Sequence, residues 1–194
     1  MEADWDVEIG PDAPSIAVPW PGFVDLRNCP SIAVPSIPET ANHPALRDFL
    51  VQLNSAGSPV FTSKCDIWTL GQEEIDHDEF GARPENARFA IASYIDILLL
   101  APEKFGSFRF HEAHVRRTTK VLRDIELANC RVDMVVRSAT VQSTSGYGLT
   151  LYTAGCGADE AMACTSWEAV LQAALNATMN LAHLLPLGAS SSIG

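Results

Sequence analysis

Two periodicities of hydrophobic and polar residues run along the chain from residue 43 to residue 184, and they predict its regular elements. Apolar residues at helical spacing predict a helix opened by Pro44, a second over 106–126 and a third over 158–184. β-Branched and aromatic content predicts strands at 60–70, 88–100, 130–141 and 147–154. The alternation is cleanest at 130–141, which is typical of a strand with one buried and one polar face.

The first 42 residues follow neither period and are rich in proline. Proline fixes φ and lacks a backbone donor, so this segment is predicted to be extended rather than helical. The hexapeptide Pro-Ser-Ile-Ala-Val-Pro occurs at 14–19 and again at 30–35, either as two short edge strands or as a chance duplication. We therefore expect an extended arm over 1–42 packed on the domain, a single α+β domain over 43–188 and a flexible tail over 189–194.

The order of these elements predicts the fold class. If one strand of the arm joins the sheet, the first part of the chain reads βαββαβ, which is the order of a ferredoxin-like sandwich. The predicted architecture is therefore α+β, with an antiparallel sheet and helices packed on one of its faces. The hairpin and the long C-terminal helix are additions to that order.

Charge and composition narrow the predicted partners. The net charge of −11, from 24 acidic and 13 basic residues, argues against nucleic acid and against anionic lipid as partners. A basic cluster on the helix over 106–126 fits a solvated outer face better than a binding patch: Arg116, Arg117, Lys120 and Arg123. No apolar run is long enough to span a bilayer, and the N-terminus lacks the features of a secretory signal. Five cysteines without a C-x-x-C pair predict reduced thiols, so we expect a soluble protein of the cytoplasm.

Three aspartates lie inside predicted strands: Asp66, Asp96 and Asp133. A carboxylate in an apolar strand needs a partner, because burying an unpaired charge costs several kcal/mol. If the three strands are neighbours and the side chains share a face, the carboxylates can hold Mg²⁺ or Ca²⁺. The alternative is that each aspartate pairs separately with a basic residue of the sheet, such as Lys64, Arg131 or Arg137.

The helix over 106–126 carries His111 and His114, three residues apart. This spacing differs from the His-Glu-x-x-His pattern of zinc hydrolases, although residues three apart can share one helical face. A metal site would need a further ligand, such as Cys156 or His77. Alternatively, His111 lies at the boundary of the core, because it falls on the apolar stripe of the helix.

Cys156 lies between two glycines just before the last predicted helix. A thiol close to a helix N-terminus can have a lowered pKa, which would make Cys156 a candidate nucleophile. The glycines at 155 and 157 can instead serve only to reverse the chain, with Asp159 near the helix cap.

No convergent catalytic motif is present, and the sequence indicates no particular cofactor. The first functional hypothesis is a non-catalytic module that binds a partner or forms a homo-oligomer. The small residues of its Ala-rich last helix allow close packing, either on the sheet or across a dimer. The second is an enzyme that uses the aspartate cluster with a divalent metal, or the Cys156 thiol. The third is a small-ligand-binding domain with a pocket between the sheet and the long acidic loop over 71–87.

Overall fold

The computed structural model describes residues 1–184, and the side chains of residues 1–179. The strands of this part are β1 (Glu2–Glu8), β2 (Ile16–Val18), β3 (Val60–Leu70), β4 (Phe89–Leu99), β5 (Cys130–Val141) and β6 (Thr144–Gly157). The α-helices are α1 (Pro30–Ala33), α2 (Pro44–Leu53), α3 (Pro102–Phe105), α4 (Phe108–Arg123) and α5 (Glu160–Leu184). The tail predicted at 189–194 lies outside the described residues.

The elements predicted from periodicity beyond residue 43 are confirmed. Helices α2, α4 and α5 and strands β3 to β6 all lie where the sequence predicts them. Strand β6 is longer than expected at both ends. The β5–β6 turn is therefore confined to Gln142 and Ser143, and Gln142 adopts a left-handed conformation with φ of 56°.

The strands form one six-stranded mixed sheet, in the order β1-β5-β6-β4-β3, with β2 also paired to β5. The α+β class is confirmed, but the prediction of an antiparallel sheet is wrong, because β1 and β2 both run parallel to β5. The ferredoxin-like order is not confirmed either. The short hairpin places β6 beside β5, and β6 then pairs with β4 along its other edge, so β1 is left at the outer edge.

The two copies of the repeated hexapeptide adopt different structures. The first contains β2, which pairs with Ala139–Val141 of β5 and buries Ile16 and Val18. The second forms α1, whose Ile32 is 78% exposed. The prediction that the arm contains no helix is therefore wrong at α1, where proline occupies the first turn and its missing N–H costs no hydrogen bond. Tertiary contact, rather than local sequence, decides the conformation of each copy.

Helices α2, α4 and α5 pack on one face of the sheet, and α5 contacts the other two. Two glycines of β6 face α5. A Cβ on Gly155 would lie 2.6 Å from the carbonyl carbon of Ser166, and a Cβ on Gly157 would lie 2.5 Å from the backbone nitrogen of Ala163. Both distances are shorter than van der Waals contact allows. The backbone of α5 therefore rests directly on the backbone of β6.

We expect Gly155→Ala to lower the free energy of unfolding by about 3 kcal/mol, because the added methyl group meets backbone atoms that cannot rotate away. Chemical denaturation measures this change. The matched control is Gly10→Ala, since nothing lies within 4 Å of a Cβ at that position. Equal stability of the two variants would contradict the close contact between α5 and β6.

Candidate functional site

The structure separates the three aspartates proposed as a metal site. Asp66 pairs in register with Tyr94, Tyr94 with Tyr152, and Tyr152 with Asp133, so four strands carry one row across the sheet. With neighbouring strands about 4.8 Å apart, Asp66 and Asp133 stand ~14 Å from each other. One ion cannot bridge that distance. Asp96 lies in the adjacent row, opposite Thr150.

Each aspartate has its own local partner. Asp133 accepts two hydrogen bonds from the Arg131 guanidinium, at 2.6 and 2.9 Å. Asp96 accepts one from the Thr150 hydroxyl at 2.7 Å. Burial raises the pKa of the Asp96 carboxyl, against the opposing effect of that hydrogen bond. Asp66 accepts the backbone N–H of Ile67 at 2.8 Å. Of the three aspartates, Asp133 has a basic partner of the kind named in the alternative, whereas Asp96 and Asp66 have a hydroxyl and a backbone N–H.

His111 and His114 are both buried in the helical layer, with 1% and 5% of their surface exposed. The His111 Nδ1 donates to the carbonyl oxygen of Ser107 at 2.9 Å, and the His114 ring stacks on Phe110. Burial lowers the pKa of both imidazoles, that of His114 to about 4, so both are neutral at pH 7. Together with Thr178 they line a cavity of about 10 Å³, which is about the size of one water molecule.

Among the side chains of residues 1–179, three potential metal ligands come together in the acidic loop over 71–87: Asp76, His77 and Asp78. Their ligand atoms all lie within 4.8 Å of one another. They are consecutive, and two of them are exposed. Asp76 accepts the backbone N–H of Asp78 at 3.0 Å, and the His77 Nδ1 lies 3.1 Å from an Asp78 carboxylate oxygen. The group includes His77, which the sequence offered as a further ligand, but none of the five metal ligands predicted from the strands and the helix: Asp66, Asp96, Asp133, His111 and His114.

Cys156 lies within β6 rather than in a turn, and its backbone N–H donates to the carbonyl oxygen of Asn129 at 2.8 Å. Its side chain is fully buried in a cluster with Phe80, Ala87 and Ala90. Burial raises the pKa of the thiol to about 11, so the lowered pKa predicted from the sequence is wrong. The strand continues to residue 157, which keeps the thiol away from the free amides of α5.

The N-terminus of α5 is capped by Asp159, whose carboxylate accepts the backbone N–H of Met162 at 2.8 Å. This is the position near the cap that the sequence suggested. The glycines on either side of Cys156 serve the contact between β6 and α5. Their role is structural, and it places no nucleophile at the helix end.

An apolar cavity of about 430 Å³ lies between the arm and the edge strand β3. We call it the arm cavity. Its walls are mainly apolar, and include Trp20, Val24, Leu26, Ile37, Leu50 and Cys65. None of its lining residues belongs to the acidic loop, where a pocket was predicted. The sequence did show apolar residues between the prolines of the arm, but without a period that indicates which way they point.

Three charged residues also line the arm cavity, Glu39 from the arm and Lys64 and Asp66 from β3. The Lys64 ammonium lies 5.9 Å from the ring centres of both Trp20 and Tyr94, as a cation–π contact with each. Burial, followed by the charges of Glu39 and Asp66, raises the pKa of the Cys65 thiol to about 12. Cys65 is therefore a neutral wall residue at pH 7 rather than a nucleophile.

Acid is expected to destabilise the fold through His114. The pKa of this imidazole is about 4 in the folded chain, against a model-peptide value of 6.5, so the unfolded state binds more protons between these two values. Stability therefore falls as the pH is lowered from 6.5 to 4, by about 3 kcal/mol from this residue. Denaturation of His114→Gln across this range should show a shallower pH dependence than the unsubstituted protein.

The matched control for this measurement is Thr178→Ser, because Thr178 lines the same cavity as His114 and does not titrate. Its pH dependence should follow that of the unsubstituted chain. If His114→Gln keeps the full pH dependence, the buried neutral imidazole is not its source.

Within residues 1–184, no helix has the length and apolar character needed to cross a membrane. Comparison of the whole chain with protein-family models, with curated proteins and with solved structures finds no significant match. Candidate functions therefore follow from the geometry of the chain's own side chains.

Proposed function

We propose that this chain is a small-ligand-binding domain whose ligand occupies the arm cavity. The observation that carries the proposal is the cavity itself. Its volume of about 430 Å³ falls in the range of roughly 300–1,000 Å³ that ligand pockets occupy. Mostly apolar walls with a few polar groups are also typical of such pockets.

The walls define the chemistry of the ligand. Leu26 and Leu50 are buried, and they stand with Val24 and Ile37 against the main volume of the cavity. Burial of apolar ligand surface against them contributes about 25 cal/mol per Å². Since the cavity lining also includes three charged residues, the expected ligand has an apolar body that carries a polar group.

The arm that covers the cavity is held in place by specific contacts. The Trp20 indole N–H donates to the carbonyl oxygen of Ser63 at 3.2 Å. Within the arm, the Thr40 hydroxyl donates to the carbonyl oxygens of Ile37 at 2.8 Å and of Val34 at 3.1 Å, which fixes the arm's own conformation. These contacts support a cavity that exists before the ligand binds, which lowers the entropic cost of binding.

Other observations favour ligand binding over self-association. Among the described side chains of α5, Ala163, Ala173, Ala174 and Ala177 are buried within this chain, so these four offer no surface to a second copy. On the edge strands, the N–H groups of Trp5, Val7 and Ile67 donate to the preceding aspartate carboxylate. Capped N–H groups are poor partners for another strand. Homo-oligomer formation and protein-partner binding stay predictions.

Binding is tested with N-phenyl-1-naphthylamine, a neutral apolar dye whose fluorescence rises in apolar surroundings. We expect saturable binding at one site. Ile37→Trp places a larger ring in the cavity and should weaken binding about tenfold or more, because the volume available to the dye shrinks. The dye's own emission is the readout, so the added indole does not interfere.

The matched control is Ile32→Trp, in the same part of the arm but 78% exposed and outside the cavity. It should bind the dye as the unsubstituted chain does. Absence of saturable binding, or equal loss of binding in the two variants, would show that the arm cavity is not a ligand site.

A further inference from the structure

The face of the sheet opposite the three packed helices is a trough. One end is closed by an apolar cluster around β2, which includes Ile16, Phe61 and Phe105. The other end is closed by the cluster of Phe80 with Cys156 and Ala90. Between these ends, three rows of side chains run across the strands: the rows of Trp68, of Tyr94 and of Asp96. We call this central region the open sheet face.

Three aromatic side chains from two adjacent rows form a strip across three neighbouring strands, which we call the aromatic row: Trp68 lies opposite Ala92, whereas Tyr94 and Tyr152 lie opposite each other. The ring centres of Trp68 and Tyr94 lie 6.3 Å apart, and those of Tyr94 and Tyr152 lie 6.0 Å apart. The planes of neighbouring rings are tilted by 52° and 48° rather than stacked face to face. The Lys64 ammonium lies 5.9 Å from the centre of the Tyr94 ring, so the faces of Trp68 and Tyr152 are the more accessible ones. Trp68 is 38% exposed, so a large apolar side chain is in contact with solvent.

The aromatic row continues into a groove of about 510 Å³ over β1 and β5. Its lining includes Asp6, Glu8, Arg131, Asp133, Arg137 and Tyr152. The Arg137 guanidinium donates to the Tyr152 hydroxyl at 3.1 Å, which joins the groove to the last ring of the row. Hydrogen-bond donors and acceptors thus lie side by side at the end of an apolar strip.

The charges of the groove are largely paired within the protein. The ion pairs are Arg131 with Asp133, Arg137 with Glu8, and Arg123 with Asp4. A polyanion would meet the surrounding carboxylates, and a polycation would have to displace these arginines. The surface is therefore suited to a neutral ligand that accepts and donates many hydrogen bonds.

We infer that the open sheet face binds a neutral linear oligosaccharide lying across the strands. A sugar ring offers an apolar C–H face, which packs on Trp68, Tyr94 and Tyr152, and hydroxyl groups, which pair with arginine and carboxylate side chains. The Tyr94 row of the open sheet face runs from β3 to β1 and crosses five strands, or ~19 Å. That length accommodates several sugar units. This site adjoins the arm cavity at Lys64 and Asp66, and it goes beyond the function proposed for that cavity.

The inference is tested by calorimetric titration of the full chain with cellohexaose, maltohexaose, xylohexaose and hexa-N-acetylchitohexaose. At least one of these neutral sugars is expected to bind, and its amide chemical-shift changes should map to β4, β5 and β6. Trp68→Ala should weaken that binding about tenfold, since one aromatic contact is lost. Phe89→Ala is the matched control, because Phe89 is 40% exposed but points to the helix-covered face.

Unchanged binding in Phe89→Ala and in the cavity variant Ile37→Trp supports a separate saccharide site. Binding of none of the four sugars overturns the inference, as does equal weakening by Trp68→Ala and Phe89→Ala. Binding of hexalysine in place of the sugars also overturns it, and assigns the face to a cationic peptide.

Discussion

The contact between the glycines of β6 and the backbone of α5 is the constraint on which the rest of this structure depends. Because Gly155 and Gly157 carry no side chain, α5 lies flush on the central strand. Trp167 then reaches into the core, where its indole N–H donates to the Ser93 hydroxyl at 3.0 Å, and Ser93 bonds to Thr153 at 2.8 Å. With α5 centred in this way, α2 and α4 fill the space beside it. One face of the sheet is covered by helices and the other stays open.

The proline-rich arm covers parts of the sheet that the three helices leave uncovered. Its first part supplies β1 and β2 to the edge of β5, and β2 closes one end of the open face. Its later part crosses to the opposite edge, beside β3, and encloses the arm cavity. Proline suits this task, because it fixes the backbone of a segment that has few ladder hydrogen bonds. The two candidate binding regions thus arise from how 42 residues without regular periodicity are laid over a regular sheet.

The sequence predicts the elements with a strong period, and the physical reason is burial. In α2 the residues at helical spacing, Leu46, Phe49, Leu50 and Leu53, are the ones in the core. Strand β1 also alternates, with Ala3 buried and Asp4 exposed. Its many carboxylates are more typical of an acidic chain terminus than of a strand, so the alternation is easily missed in the sequence. The predictions of functional sites depended on which side chains are buried and which residues pair across the strands. Local sequence contains neither kind of information. In the sequence, Cys156 is a candidate nucleophile and His114 is a candidate metal ligand. Tertiary packing buries both side chains and keeps them neutral at pH 7.

The central functional claim is that the arm cavity receives a ligand, and a crystal structure of the protein with bound N-phenyl-1-naphthylamine tests it most directly. The claim predicts electron density for the dye between Leu26 and Leu50, beneath the Trp20 ring, with the arm in place. Density for the dye on another surface, or a cavity closed by the arm's own side chains, would contradict it.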